Sequence, residues 1–245
     1  MVPVTALANP NIAFIKYWGN RDEKFRLPAN GSISMNLEGL ETCTTVHFDP
    51  LLQADEITIN GTISGGATRS RSVVILDEVR NLAGLPTFAR VESENNFPTG
   101  TGIASSASAF AALALAATNA AGLITSPCLN KAICTDRHID LAALSRLARL
   151  GSGSACRSIP GGFVEWIAGT KDADSYAVSI APPEYWELTD CIAMISSDHK
   201  KIGSSEGHAI ARTSLFQSSR VADAPRRLDI CRNAILKRDF EALAD

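Results

Sequence analysis

Residues 95–118, NNFPTGTGIASSASAFAALALAAT, set two glycines, two threonines and a Ser-Ser pair directly before a run with almost no polar side chain. Glycines let backbone N–H groups approach a ligand closely. Ser105 and Ser106 offer hydroxyls where a helix would begin, and the first N–H groups of a helix have no partner within it. Phosphate is favoured at such a junction. The segment is neither a Walker A loop, which would end in Gly-Lys-Ser/Thr, nor a dinucleotide G-x-G-x-x-G. On these residues alone two readings stand: an anion cradle, and a Gly/Ser turn that caps a core helix.

The elements around this junction read as interleaved strands and helices, a mixed α/β architecture. NIAFIKYW (11–18), SISMNL (32–37) and TTVHF (44–48) predict strands. Asn60-Gly61, flanked by β-branched residues, predicts a two-residue hairpin turn with positive φ. From Ser72, the steps Val73, Leu76, Val79 and Leu82 predict a helix that stops at Gly84. FARVESE (88–94) predicts the strand that delivers the chain to the loop. The segment behind the loop is apolar on every side, which predicts a buried helix with a fixed N-terminus. A helix opening near Asp140 and ended by Gly151 leads into a small-residue loop, GSGSA. GGFVEWIAG (161–169) and CIAMISS (191–197) predict further strands, and RRLDICRNAILKRDFEAL (226–243) an amphipathic helix with its arginines and lysines in solvent.

Composition narrows the classes. The 245 residues are 45% hydrophobic and 20% charged, with net charge −3, which argues against nucleic acid as the main partner. Six cysteines (43, 128, 134, 156, 191 and 231) form no C-x-x-C, as expected of thiols in a reducing compartment. The four histidines (47, 138, 199 and 208) show no metal-ligand spacing. The first 20 residues lack the pattern of a signal peptide, and the most apolar run, 107–118, falls short of the roughly 20 residues of a membrane span. A soluble, cytoplasmic protein is expected.

The order P-x-x-x-G-I-A-S-S-A at 98–107 resembles the ATP-binding loop of the GHMP superfamily of small-molecule kinases. Three further stretches resemble one branch of it, the mevalonate diphosphate decarboxylases: ANPNIAFIKYWGNRDEKFRLPANGSISM (8–35), SRLARLGSGSACRSIPGGFVEW (145–166) and DHKKIGSSEGH (198–208). The pairing of I-K-Y-W-G with G-S-G-S-A-C-R-S is specific, and the resemblance runs from about residue 8 to the end. It implies a two-domain GHMP fold, α+β, with a ribosomal-protein-S5-domain-2-like ATP-binding domain over 1–175. The start of a smaller ferredoxin-like domain would follow over 176–245, incomplete relative to the family.

The implied chemistry moves the ATP γ-phosphoryl group to the 3-hydroxyl of a phosphorylated mevalonate, then expels phosphate and CO2 to give an isopentenyl product. The resemblance assigns ATP contacts to Pro98, Gly100, Gly102, Ser105, Ser106 and Ser108, and substrate contacts to Tyr17, Ser152, Gly153, Ser154, Arg157 and Ser205. Arg157 carries the fork that fits the substrate carboxylate. Lys16, whose charge would be costly unpaired in a core, is the second catalytic candidate, beside the 3-hydroxyl or the γ-phosphate. Magnesium is expected with ATP, with no ligand assigned, and a homodimer is implied. Asn95 and Asn96 lie within possible reach of the nucleotide, and Trp18 fits packing as well as it fits a substrate contact.

Two departures stand out. The family pattern K-Y-W-G-K has Asn20 at its last position, and Glu206 follows Ser205 where many bacterial members carry Arg. Two charged hydrogen bonds worth about 1.5–3 kcal/mol each would be lost, so a preference for mevalonate 5-phosphate over the 5-diphosphate is expected unless Lys200 or Lys201 compensates. The sequence also contains no D-x-G-P segment, in which the family carries a catalytic aspartate, and Asp245 is not given that role. The expectation is therefore a partial chain or one unable to complete the chemistry. A GHMP kinase that stops at phosphorylation, and a non-catalytic nucleotide-binding relative, are the alternatives.

Overall fold

The computed structural model describes residues 1–98, 103–124, 139–193 and 204–244, without the side chains of Ser204 and Ser205. The first half runs β1 (Val4–Ala8), β2 (Asn11–Ile15), β3 (Asn20–Asp22), β4 (Leu27–Pro28), β5 (Ser32–Asn36), β6 (Thr42–Asp49), β7 (Glu56–Ile59), β8 (Thr62–Ile63), α1 (Gly66–Ala83) and β9 (Phe88–Asn95). The second half runs α2 (Ser105–Ala120), α3 (Leu141–Gly151), β10 (Phe163–Trp166), β11 (Ala177–Ala181), α4 (Ser204–Ile210), α5 (Gln217–Lys237) and α6 (Phe240–Ala244), with short 3-10 turns between them. Among the described residues no helix is long and apolar enough to cross a membrane.

Two sheets carry the architecture. The first has the order β1-β6-β9-β7-β8, antiparallel except where β7 runs parallel to β9. Alternate residues of its strands, Val46, Phe48, Ile57 and Val91 among them, point into one core with Ile75, Leu76 and Val79 of α1, Leu113 and Ala117 of α2, and Leu144 and Leu147 of α3. Asn60 and Gly61 take φ of 47° and 74°, so the tight hairpin forms as its residue types require. Gly84, in the left-handed region, closes α1 by donating to the Arg80 carbonyl.

The second sheet, β11-β10-β5-β2, positions the site. In β5 the period of two sends Ile33 and Met35 to one face, where Leu228, Cys231 and Ile235 of α5 cover them. Ser32 and Ser34 go to the opposite face and are fully buried there. A strand buried on both faces with serines at alternate positions makes a hydroxyl-lined floor. β2 adds Asn11 beside it, in register with Asn36.

Several boundaries differ from the sequence reading. α1 begins at Gly66 rather than Ser72, because its first turn is exposed and carries no apolar periodicity. The expected small-residue loop after Gly151 is a 3-10 turn, Gly153–Ser158, with most of its residues buried. Residues 191–193 lie outside any strand, and the rest of the predicted CIAMISS strand falls outside the described residues. α5 starts ahead of the expected 226, and β1 and β11 were not anticipated.

Candidate functional site

α2 is the most enclosed helix: 11 of its 16 residues are buried, which fixes its N-terminus as its composition requires. Its N-cap, Ala104, sits in the left-handed region at φ 52°, ψ 34° and has no side chain to cap the first turn. The Ala107 N–H donates to the Ala104 carbonyl at 2.8 Å, and the Ser105 and Ser106 N–H groups ahead of it have no partner within the helix. A non-glycine residue there is strained, a feature that clusters at binding sites. Of the residues expected at the nucleotide, Ser105 and Ser106 open this turn, and Pro98 is exposed ahead of it. Gly100 and Gly102 lie outside the described residues.

Ser108 is a correction. It is fully buried, donates to the Ser105 carbonyl at 3.1 Å and accepts from the Thr42 hydroxyl at 2.6 Å. One turn beyond Ser105, it faces β6 and seals the underside of the junction. Asn95 and Asn96 are also engaged: Asn95 accepts from Thr42, and Asn96 bonds the Glu41 amide and the Gly39 carbonyl.

The hydroxyls of Ser106 and Ser152 lie 3.3 Å apart, and those of Ser152 and Ser154 3.4 Å apart. The nucleotide and substrate residues read from the sequence thus meet in one row. The Ser154 carbonyl accepts from Asn11, and the Asn11 side-chain oxygen accepts from Arg157. Gly153 is needed for a close approach: a Cβ there would come within 2.6 Å of the Tyr17 ring.

Arg157 is 3% exposed. Its Nε donates to Ser34 at 3.1 Å, one terminal nitrogen to Ser32 at 2.6 Å and the other to Asn11 at 3.0 Å. The Trp166 ring centroid lies 6.0 Å away. All three acceptors are neutral, and no carboxylate pairs with Arg157 among the described residues. Burial pulls its pKa down. A guanidinium oriented by hydroxyls and an amide, in a desolvated place and without a counter-ion, is arranged to receive an anion. Among the described residues, two of its five donors have no partner.

Two further arginines, absent from the sequence reading, add to this field. Arg71, on α1, lies over the Phe110 ring and reaches the Gly151 carbonyl; burial first, then Arg26, lowers its pKa. Arg26 donates to the Leu150 carbonyl. Neither has a carboxylate partner among the described residues.

On the other flank Tyr17 is buried, tilted against Trp166 at 4.7 Å, and donates from its hydroxyl to Asn20. Burial raises its phenol pKa, so the hydroxyl stays protonated. Lys16 is exposed at the end of β2. Ser205 lies in α4, with its side chain outside the description. The residues missed from sequence are Asn11, Ser32, Ser34, Arg26, Arg71 and His208. Only the serines left a signal, as polar residues at alternate positions of an otherwise apolar strand.

The fold sets a buried helix N-terminus beside a serine-rich turn and an arginine that has no carboxylate partner among the described residues. A family model for the diphosphomevalonate decarboxylase-like N-terminal domain matches residues 8–177, and the chain belongs to that family, within the GHMP superfamily. It is 38% identical to the diphosphomevalonate decarboxylase of Aspergillus fumigatus over 98% of this chain and 61% of that protein. With the Saccharomyces cerevisiae diphosphomevalonate decarboxylase it is 36% identical over 96% of this chain and 60% of that one. The mevalonate diphosphate decarboxylase structure from Staphylococcus aureus superposes with a TM-score of 0.84 at 37% identity, over 98% of this chain and 69% of that one. A structure of MDDEF in complex with MVAPP, AMPPCP and magnesium superposes at 0.83 with 35% identity, over 99% of this chain and 70% of that one. The chain thus spans about 61% of the length of the first of these curated relatives.

Proposed function

We propose that the protein serves the ATP-dependent decarboxylation of mevalonate 5-diphosphate. The observation that carries this reading is Arg157, buried and oriented by neutral partners, with no carboxylate of its own among the described residues. It binds the substrate carboxylate through its fork, and Ser152 and Ser154 donate to the same end of the substrate. Tyr17 packs along the substrate, with Ser205 assigned to the phosphate end. Lys16 faces the 3-hydroxyl and stabilises charge as it develops there. The opening N–H groups of α2, with Ser105 and Ser106, hold the nucleotide phosphates.

Once the 3-hydroxyl carries the γ-phosphoryl group it is a good leaving group. The C1–C2 electron pair then forms the C2=C3 bond, CO2 departs, and the C3–O pair leaves with phosphate. Magnesium, bound with the nucleotide phosphates beside Ser105 and Ser106, would neutralise part of their charge. Among the described residues no group of three His, Cys, Asp or Glu side chains could hold a metal.

The monophosphate preference expected from Asn20 and Glu206 is set aside. The relatives are diphosphomevalonate decarboxylases by name, which supports the diphosphate. Asn20 has a local task as the acceptor of the Tyr17 hydroxyl, and Arg26 brings positive charge to Tyr17 beside it. The matched span 8–177 supports an ATP-binding domain ending near residue 175. The test is purified protein with MgATP and mevalonate 5-diphosphate, following CO2 and ADP together. Equal release of both supports the reading, ADP without CO2 points to a kinase that stops at phosphorylation, and no turnover points to a nucleotide-binding relative.

A further inference from the structure

His208, on α4, is stacked on Tyr17 with ring centroids 4.1 Å apart and 25° between planes, and tilted against Trp18 at 4.8 Å. Its Nδ1 accepts the Gly19 backbone N–H at 2.9 Å. Nδ1 is thereby the unprotonated nitrogen, and the neutral ring carries its proton on Nε2. The preceding Gly207 lets the helix meet the Trp18 ring, where a Cβ would lie 2.6 Å from it. Gln217 and Arg220, at the start of α5, both donate to the Trp18 carbonyl, at 3.1 and 2.6 Å. Three consecutive residues, Tyr17 to Gly19, are gripped from one side by α4 and α5.

We propose that His208 is a positioning residue: its neutral imidazole clamps Tyr17–Gly19 against α4 and so sets where Lys16 and Tyr17 meet the substrate. This rests on the reading of Lys16 and Tyr17 given under the proposed function. The clamp requires the neutral ring, because an imidazolium turns Nδ1 into a donor facing another donor. Burial pushes the His208 pKa down to about 4; Glu23 pulls it up, while Arg26, Arg157 and Arg220 press it down. The folded value lies below the ordinary 6.5, so between those values the unfolded chain binds the proton that the folded chain refuses. The stability contributed is complete above 6.5 and is lost as pH falls toward 4.

His208→Phe keeps the ring and removes the acceptor, whereas His208→Asn keeps an oxygen where Nδ1 stands. Calorimetry with mevalonate 5-diphosphate and, separately, with AMPPCP reads the two halves of the site, and the Gly19 amide resonance reads the clamp. His208→Phe is expected to weaken the diphosphate about tenfold, leave AMPPCP within about twofold and move the Gly19 amide; His208→Asn restores most of all three. As pH falls toward 4, wild type is expected to lose affinity relative to His208→Asn, which has no ring to protonate. Unchanged diphosphate affinity in His208→Phe, or equal losses of both ligands that His208→Asn fails to rescue, overturns the proposal. If wild type binds no mevalonate 5-diphosphate, the functional reading falls, and the clamp is still decided: a Gly19 amide unmoved in His208→Phe overturns it.

Discussion

Arg149 and Arg157 stand eight residues apart, both are buried, and each sits in a cage drawn from distant parts of the chain. Arg149 has a side chain wholly out of solvent; it donates to the carbonyls of Phe25 and Ser175 and pairs with the carboxylate of Asp172. Its charge is answered inside the protein. Arg157 is held by Ser32, Ser34 and Asn11, which fix its direction and leave its charge unanswered. Burial alone would give the two arginines the same reading. The partner chemistry separates them: a carboxylate closes an account within the fold, and hydroxyls prepare a guanidinium for something that arrives.

Replacing each arginine sharpens this contrast. Arg157→Met is expected to lower kcat/KM for the decarboxylation by roughly 1,000-fold, the scale of a lost charge-stabilising donor, while the melting temperature falls less than in Arg149→Met, because removing an uncompensated buried charge offsets the donors lost by Ser32, Ser34 and Asn11. Steady-state kinetics beside calorimetric melting would check it, and a large fall in Tm would place Arg157 with Arg149. Arg149→Met is expected to cost about 3 kcal/mol of stability in urea unfolding, by stripping two carbonyls and Asp172 of their donor. Activity measured well below the new midpoint should survive.

Smaller effects test the row of contacts between them. Gly153→Ala drives a methyl into the Tyr17 ring and is expected to destabilise by about 1–3 kcal/mol, with KM for the substrate rising more than KM for ATP. Ser152→Ala removes the hydroxyl between Ser106 and Ser154. It is expected to raise KM about fivefold, near 1 kcal/mol for one neutral hydrogen bond, in both the ATP and the substrate titration. A change confined to one of them would cut Ser152 out of the shared row.

Local features were legible in advance because their causes are local. The Asn60-Gly61 turn, the Gly84 stop and the buried α2 each depend on residues within a few positions. The family pattern pointed to Ser105, Ser106, Ser152, Ser154 and Arg157, and the fold brings Ser106, Ser152, Ser154 and, through Asn11, Arg157 into one row. The rest was hidden by distance along the chain. Nothing near Arg157 names Asn11, Ser32 or Ser34 as its holders, and nothing near Tyr17 names His208. Ser108 misled for the converse reason: it belongs to the loop in sequence and to the core in space, since one helical turn carries it from the open end of α2 to its β6 face.

The holders of Arg157 are separated from it by 146, 125 and 123 residues. Loops of that length must close before any of the three bonds can form. During synthesis the residues of the floor emerge first and their cation more than 120 residues later. Anion affinity is therefore a late-maturing property, and a ligand such as a phosphorylated mevalonate would distinguish chains that have finished folding from compact ones that have not.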